Sequence, residues 1–293
     1  MTVLAAYLPG KGGRATLDLA AQLARGLGVP LSVATVLPGP WDATTPATVD
    51  AQLEGWSAVL AASAESSARA HLARTAPGAE VRFLARPGRS VPATLVDLAA
   101  GTGAAALVLG SSPRGRPGQV VVGSTAGRLL HSSPLSVALA PRGHRGGGAG
   151  TPRVTCAAAG EDGEVVARAR RFADRVGARL RVLTLAVRGP APWAPAVSVL
   201  GPRAEEEVLD AWTEQAHRSL RVLSEEGALP PEAETAVGAG QGWREALDAV
   251  DWEPGELLVV GSRPHGPVAR VFLGSRATRI LRHAPVPVVV LPG

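Results

Sequence analysis

Two glycine-serine loops hold the residues whose spacing could support chemistry. Gly110 lies 13 positions before the pair Gly123-Ser124, and Gly261 lies 13 positions before the pair Gly274-Ser275. Glycine lets a backbone approach phosphate oxygens closely. Helical spacing begins at each Gly-Ser pair, where free N–H groups and the positive dipole end favour an anion and where a serine can cap the helix. The spacing therefore predicts phosphate or nucleotide binding, and a tight strand-to-helix turn is the alternative interpretation.

Both loops belong to one long internal repeat. Residues 107–141 align without a gap on residues 258–292, and fifteen of the thirty-five pairs are identical. A repeat of this kind defines copies of one structural unit, and roughly 140 residues is an ordinary domain size. We therefore expect one domain at 1–141 and another at 152–293, with the glycine-rich stretch 142–151 as their linker.

The overall composition is that of a globular protein. Apolar residues make up 46% of the 293 residues and charged residues 19%, which excludes a disordered chain. No apolar run approaches the roughly 18 residues of a membrane span, and the first residues do not resemble a secretory signal. A single cysteine, Cys156, excludes an intramolecular disulfide and a multi-cysteine metal site. We expect a cytoplasmic protein without a bound metal.

The high isoelectric point of about 10.7 does not indicate nucleic-acid binding. The chain has one lysine, Lys11, and one tyrosine, Tyr7, so its net charge of +5 changes little between neutral and strongly alkaline pH. Nucleic-acid binders concentrate basic residues on one face, whereas these arginines are scattered through both halves. We expect no specific nucleic-acid partner.

Apolar strands alternate with amphipathic helices in the same order in both halves. The predicted strands are 3–7, 31–37, 81–85, 104–109 and 135–140, then 154–158, 180–186, 234–237, 257–260 and 286–291. The predicted helices are 16–24, 48–74, 90–100 and 124–132, then 164–176, 204–225, 243–250 and 275–283. This alternation predicts an α/β fold of two tandem doubly wound domains, each a five-stranded parallel sheet flanked by helices. Ligands of such sheets bind at the carboxyl ends of the strands, where the strand order reverses.

The order strand, Gly-Ser, loop, Gly-Ser, helix and strand, present twice, resembles a tandem universal stress protein. The resemblance implies a Rossmann-like fold and a stress-response binding or regulatory module without turnover, with ATP or a related nucleotide as ligand. It also implies that the domains pack as a pseudo-dimer, often through the last strand of each, and that whole chains can form a homodimer. The implied nucleotide-binding residues are Gly110, Ser111, Gly115, Gly123 and Ser124 in the first copy, and Gly261, Ser262, Gly266, Gly274, Ser275 and Arg276 in the second.

Proline replaces one glycine of the family pattern in both copies. Nucleotide-binding members carry Gly, two residues, Gly, nine residues and then Gly-Ser or Gly-Thr. Pro113 and Pro264 occupy the second glycine position, and proline has no N–H to donate to a phosphate. Gly115 and Gly266 lie two residues later and could take over that role.

The aspartate that adenine-binding members place after the first strand is also missing from its position. Leu8 and Ala159 stand there in the two copies. Asp162 lies three residues beyond Ala159, where it could substitute for that aspartate or act as a helix N-cap. Trp41 and Trp193 lie in loops near the predicted ligand edge, where they could stack on a base or simply pack in the loop.

Two other functions remain open on the sequence. A nucleotide-independent member acting through protein contacts is favoured by the two prolines. An enzyme on the same type of fold, such as a nucleotidyl transferase or an ATP pyrophosphatase, would need an HxGH or SGGxDS motif, and neither is present. A binding module is therefore the preferred interpretation.

Overall fold

Strands and helices alternate along the chain as predicted. The computed structural model describes residues 1–10, 12–39, 47–112, 114–146, 150–159, 162–187, 202–265 and 270–293. The first half contains β1 (Thr2–Ala6), α1 (Gly13–Leu27), β2 (Leu31–Pro38), α2 (Ala47–Thr75), β3 (Val81–Gly88), α3 (Val91–Gly101), β4 (Ala104–Gly110), α4 (Ser124–Ser132) and β5 (Ser136–Ala140). The second half contains β6 (Arg153–Ala157), α5 (Gly163–Val176), β7 (Arg179–Val187), α6 (Pro202–Glu225), β8 (Glu234–Gly240), α7 (Trp243–Asp248), β9 (Leu257–Gly261), β10 (Arg263–His265), β11 (Arg270–Phe272), α8 (Ser275–His283) and β12 (Val288–Leu291).

Ten of these strands form one sheet in the order β3-β2-β1-β4-β5-β12-β9-β6-β7-β8. All neighbours within a half are parallel, and the halves meet where β5 and β12 pair antiparallel, with Val137 opposite Val290. The predicted α/β class with a mainly parallel, helix-flanked sheet is confirmed. The last strand of each half joins the two copies, as the family resemblance implies, so the apolar edge of β12 is covered by β5.

Helices cover both faces of the sheet, and each face has a core that continues across the two halves. On one face α1, α2, α5 and α6 supply buried side chains such as Leu17, Leu72 and Val166. On the other face α3, α4, α7 and α8 supply side chains such as Leu95, Leu129 and Leu247. Burial on both faces explains why the strands are continuous apolar runs. No described helix is long and apolar enough to span a membrane.

The structure differs from the predicted elements at several places; for example, β3 and β8 each continue three residues further, to Gly88 and Gly240. The hairpin β10–β11 was not predicted, because its strands have three residues each and show no strand periodicity. The last strand begins at Val288 rather than at residue 286. Pro287 lacks an N–H, although its carbonyl still accepts a hydrogen bond from the Leu258 N–H at 2.9 Å.

A buried ionic cluster lies at the amino ends of the second-half strands. The Glu256 side chain has no exposed surface, and its carboxylate accepts hydrogen bonds from Arg153 Nη2 at 2.9 Å and Arg181 Nη2 at 2.7 Å. The same carboxylate accepts hydrogen bonds from the Thr155 hydroxyl and the Glu253 N–H. We refer to Arg153, Arg181 and Glu256 as the Arg-Glu cluster.

The first copy has no such charges at the equivalent strand positions. Thr2 and Ser32 stand where the second copy has Arg153 and Arg181, as the strand registers show. Their hydroxyl oxygens are 3.1 Å apart, within hydrogen-bonding distance, and Thr2 also donates to the Pro30 carbonyl at 2.7 Å. The same strand position therefore accommodates a small hydroxyl pair or a charged cluster.

Helix α1 connects the two halves on one face. The Gln22 amide nitrogen donates to Thr151 Oγ1 at 3.0 Å and to the Gly255 carbonyl at 2.6 Å. One turn earlier, the buried Asp18 carboxylate lies 2.7 Å from His71 Nε2 on α2. The described part of the predicted linker also contacts α1, because a Cβ on Gly146 would lie 2.9 Å from the Asp18 carbonyl.

The burial of His144 beside this junction predicts a dependence of stability on pH. Burial lowers the pKa of His144 below its ordinary 6.5, and the nearby Asp18 carboxylate only partly offsets this effect. Between the folded pKa and about 6.5 the unfolded chain binds more protons, so stability falls as the pH drops through that window and levels off below it. The melting temperature should therefore decrease on going from pH 7.5 to pH 5.5.

Replacing His144 with asparagine should make that decrease smaller. His283 contributes in the same direction, because burial and then Arg244 and Arg282 lower its pKa, so part of the decrease will remain. His217 is an exposed histidine of α6, and His217→Asn is the matched control. An equal pH dependence in His144→Asn and the control would contradict the role given to His144.

Candidate functional site

The strand order reverses once in each copy, which marks two candidate ligand positions. In the first copy β1 lies between β2 and β4, and in the second β6 lies between β7 and β9. The chain leaves β4 at Gly110 and β9 at Gly261, on the carboxyl edge beside the reversal. The predicted loops therefore begin where doubly wound folds bind ligands.

The first glycine of each loop allows a helix to approach the end of a strand. A Cβ on Gly110 would lie 2.6 Å from Thr16 Oγ1 of α1, and a Cβ on Gly261 would lie 2.6 Å from Val165 Cγ2 of α5. Real Cβ atoms do not come this close to a neighbour. Packing between helix and strand therefore requires these two glycines, whether or not a ligand is bound.

The serines that follow are buried and take part in internal hydrogen bonds. Ser111 Oγ accepts from the Val121 N–H at 2.7 Å, which ties the beginning of the first loop to its end. Ser262 Oγ donates to the Leu291 carbonyl at 3.0 Å. Both hydroxyl groups hold the loops against the sheet in this conformation.

The first-copy loop is closed by its own backbone. The Gly115 N–H donates to the Ser112 carbonyl at 3.2 Å, and Arg142 Nη1 donates to the Gly115 carbonyl at 2.6 Å. The Ser112 N–H donates to the Val121 carbonyl at 2.8 Å. The predicted donor Gly115 is thus engaged inside the loop.

Several sequence predictions lie outside the described residues. They concern Pro113 of the first Gly-Ser loop, Gly266 of the second Gly-Ser loop, and the loop tryptophans Trp41 and Trp193.

The second Gly-Ser pair of each loop begins a helix, but the serine is not the cap. Gly123 and Gly274 are the N-caps of α4 and α8, and neither helix has a side-chain cap. Ser124 and Ser275 are the first helical residues, so the idea that they cap these helices is wrong. A Cβ on Gly274 would meet nothing within 4 Å, and one on Gly123 only Ser112 Cβ at 3.9 Å. A ligand can therefore approach both caps closely.

A cavity of about 320 Å³ opens beside the start of α8. Its lining residues are Leu185 and Val187 of β7, Trp243 of α7, and Ser275, Arg276 and Arg279 of α8. The volume lies at the lower end of the range for small-molecule sites. Apolar and aromatic side chains on one part and two guanidinium groups on another suit a ligand that is both planar and anionic. We refer to this site as the copy-two cavity.

Arg276 is the half-buried cation of the copy-two cavity. Burial lowers the pKa of its guanidinium, and the Asp162 carboxylate only partly offsets this effect. A cation that has lost part of its hydration gains from an anionic partner. The first turn of α8 contains no acidic residue, so its dipole acts in the same direction.

Asp162 occupies the N-cap position of α5 without capping it. Its Oδ2 instead accepts from the Ala159 N–H at 2.9 Å. Its carboxylate also interacts electrostatically with the Arg276 guanidinium. The helix-cap interpretation of Asp162 is therefore right for its position and wrong for its hydrogen bond.

The first copy has different residues at the positions equivalent to the cavity lining. Val91 and Trp243 are the first residues of the corresponding helices α3 and α7, and the repeat places Thr125 and Arg128 opposite Arg276 and Arg279. Val91 is 42% exposed. Among the described residues at these equivalent positions, the tryptophan and one of the two arginines belong to the second copy alone.

Sequence reasoning found Ser275 and Arg276 but missed Leu185, Val187, Trp243 and Arg279 as cavity residues. Leu185 and Val187 are indistinguishable from core strand residues in sequence. The change from Val91 to Trp243 between otherwise similar copies was the one signal available.

Comparisons with known proteins agree with this geometry. The family model described as "Universal stress protein family" matches residues 1–141 and 158–292. Proteins named universal stress protein from Mycobacterium bovis and Mycobacterium tuberculosis are 44% identical over 295 residues, and the alignments cover 100% of this chain and of each relative.

Solved structures show the same fold. A universal stress protein from Archaeoglobus fulgidus aligns with a TM-score of 0.55 and 16% identity, over 99% of this chain and 98% of its own. A functionally unknown protein from Pseudomonas aeruginosa gives a TM-score of 0.55 and 14% identity, over 99% and 92%. The doubled loops, the two family matches and the full-length relatives lead to one conclusion: this chain belongs to the universal stress protein family and carries two such units in tandem.

Proposed function

We propose that this tandem universal stress protein is a nucleotide-binding regulatory module whose ligand occupies the second copy. The observation that carries the proposal is the copy-two cavity, where Ser275 and Arg276 of the α8 start face an apolar and aromatic wall. The nucleotide phosphates would lie at the α8 N-terminus against Arg276 and Arg279. ATP or a related adenine nucleotide is the candidate that the family resemblance suggests.

The proposal gives the two copies different roles. It divides the chain into domains at 1–141 and 152–293 with the linker 142–151 between them. In the first copy Gly110, Ser111, Gly115, Gly123 and Ser124 form a loop that supports the domain junction. In the second copy Gly274, Ser275 and Arg276 contact the ligand, while Gly261 and Ser262 shape the start of the loop. We place the protein in the cytoplasm, acting by binding rather than by turnover.

Titration calorimetry with ATP, ADP and AMP, at low and high salt, tests the proposal. We expect one saturable site per chain whose affinity falls with salt, because the phosphate contacts are electrostatic. Gly274→Val should abolish binding because its side chain would fill the open approach to the α8 cap, whereas Gly123→Val should leave binding unchanged. Arg279→Thr should weaken binding about 10- to 100-fold, since hydrogen bonds to charged groups contribute about 1.5–3 kcal/mol.

Arg128→Thr is the matched control for Arg279→Thr, because both arginines occupy the same repeat position. Unchanged affinity in this control would locate the site in the second copy. No heat of binding at millimolar concentrations of all three nucleotides, together with no nucleotide released from the purified protein on denaturation, would overturn the proposal.

A nucleotide-independent function through protein contacts is the second candidate. Trp56 and Val59 favour it, because both are 69% exposed and lie one helical turn apart on α2. Contiguous exposed apolar surface can mark a protein contact, and these two side chains are neighbours on the helix. A second copy of the chain is one such partner. Sedimentation would reveal a homodimer through this helix if the wild type sediments as a dimer and Trp56→Ser as a monomer.

A further inference from the structure

We infer that Trp243 provides the stacking surface for the base in the copy-two cavity and thereby gives this site a preference for purines over pyrimidines. The inference rests on the proposed function and goes beyond it, because it assigns the part of the ligand that contacts each wall. It concerns a residue of α7, which is separate in sequence from both Gly-Ser loops.

The arrangement of the cavity lining supports this orientation. Trp243 begins α7 directly after Gly242, the N-cap residue, and a Cβ on Gly242 would meet nothing within 4 Å. The indole shares the cavity with Leu185 and Val187 of β7, whereas the groups that attract anions all belong to α8. The planar part of a nucleotide therefore fits between the indole and β7, with its phosphate directed to Arg276 and Arg279.

The hydrogen bonding of the indole points in the same direction. Trp243 Nε1 is buried and has no hydrogen-bond partner among the described residues. Trp252, in the loop after α7, does have one, since its Nε1 donates to the Leu247 carbonyl at 2.7 Å. An unpaired buried donor is unfavourable, so internal hydrogen bonding does not account for a tryptophan at 243. The ring of Trp243 lines the cavity and is the part of the side chain that a ligand there would contact.

Stacking energies set the expected size of the effect. Stacking of a base on an aromatic side chain contributes about 1–3 kcal/mol, which corresponds to about a 5- to 150-fold change in affinity. Trp243→Val installs the residue of the first copy, Val91, and should weaken AMP binding by a factor in this range. Trp243→Phe keeps an aromatic face and should retain most of the affinity. CMP should bind the wild-type protein more weakly than AMP does. The two nucleotides should bind Trp243→Val with about equal affinity.

The experiment is titration calorimetry of the full chain with AMP and CMP. Trp56→Val is the matched control, because it removes an exposed tryptophan from the other half of the chain. The melting temperature of each variant shows whether it is folded. As a second measurement on wild-type protein, the indole N–H resonance of Trp243, assigned by its loss in Trp243→Phe, should shift when AMP is added.

The outcomes separate this inference from the proposed function. If the wild type binds AMP, while Trp243→Val binds it equally well and the Trp243 resonance does not shift, the inference is wrong and the proposed function stands. If the wild type binds no nucleotide, both are wrong. Weaker AMP binding in Trp243→Val, together with a shifted Trp243 resonance in the wild type, supports the inference and the proposed function. If Trp243→Val does not fold, a shift of the wild-type Trp243 resonance on adding AMP supports the inference by itself.

Discussion

Glu256→Ala should lower the free energy of unfolding by about 3–5 kcal/mol, the usual cost of removing one partner from a buried ion pair. Glu256 has no exposed surface, and the side chains of Arg153 and Arg181 are only 6% and 5% exposed. Without the carboxylate, the buried Arg181 loses its ion-pair partner Glu256, and Arg153 keeps only its pairs with the more exposed Glu234 and Glu253. Urea unfolding followed by circular dichroism measures the loss.

A combined replacement shows whether the stability lost in Glu256→Ala comes from unpaired charge or from the loss of these side chains themselves. Arg153→Met, Arg181→Met and Glu256→Leu in one chain remove all the charges of the Arg-Glu cluster and keep similar volumes. Such replacements of buried ion pairs are often neutral or stabilising, so this variant should be more stable than Glu256→Ala. Glu65→Ala, which breaks an exposed pair with Arg69 on α2, should change stability little. A triple variant less stable than the single one would contradict this account.

His71→Ala should be the next most destabilising change, by about 3 kcal/mol. The His71 Nε2 contact at 2.7 Å joins α2 to the buried Asp18 of α1. Its removal leaves a carboxylate that is 7% exposed without its partner. His144 is nearby, but its buried Nε2 has no partner among the described residues, so we expect it to compensate only in part.

A double replacement, Asp18→Leu with His71→Leu, tests the origin of that loss. It removes the charge together with its partner, so it should recover most of the stability lost in His71→Ala. The measurement is again urea unfolding, with the midpoint and the slope determined separately. Equal losses in the single and double variants would show that helix packing, rather than the unpaired carboxylate, determines the effect.

The order of elements was predictable because each element has a local signal. Strands buried on both faces appear as continuous apolar runs, as at β4 and β9, and glycine ends helices such as α1 at Gly28 and α5 at Gly177, both with positive φ. The hairpin β10–β11 lacked such a signal, because each of its strands has only three residues and pairs with the other. The position of Val288 as the first residue of β12 depends on its partner strands rather than on the apolar run.

The candidate site was predictable only in part. The Gly-Ser spacing led to Gly274, Ser275 and Arg276, because the start of a helix has a local signal in the sequence. The opposite wall comes from β7 and α7, which are distant in sequence and reach the same edge because parallel strands end together. The closed hydrogen bonding of Gly115 could not be read from its spacing, since it depends on Arg142 at the domain junction.

The sequence by itself determined that the chain contains two α/β copies, each with a glycine-serine loop at a helix start, because periodicity, turn residues and the repeat are local properties of the chain. The sequence already distinguished the copies at Arg276, and the tertiary structure decided what surrounds each loop. Hydrogen bonds within the first loop engage the N–H groups of Ser112 and Gly115, while long-range packing places Trp243 and two arginines around a cavity in the second copy. Such contacts depend on which elements meet in space, and two loops with the same glycine-serine spacing can therefore lie in different surroundings.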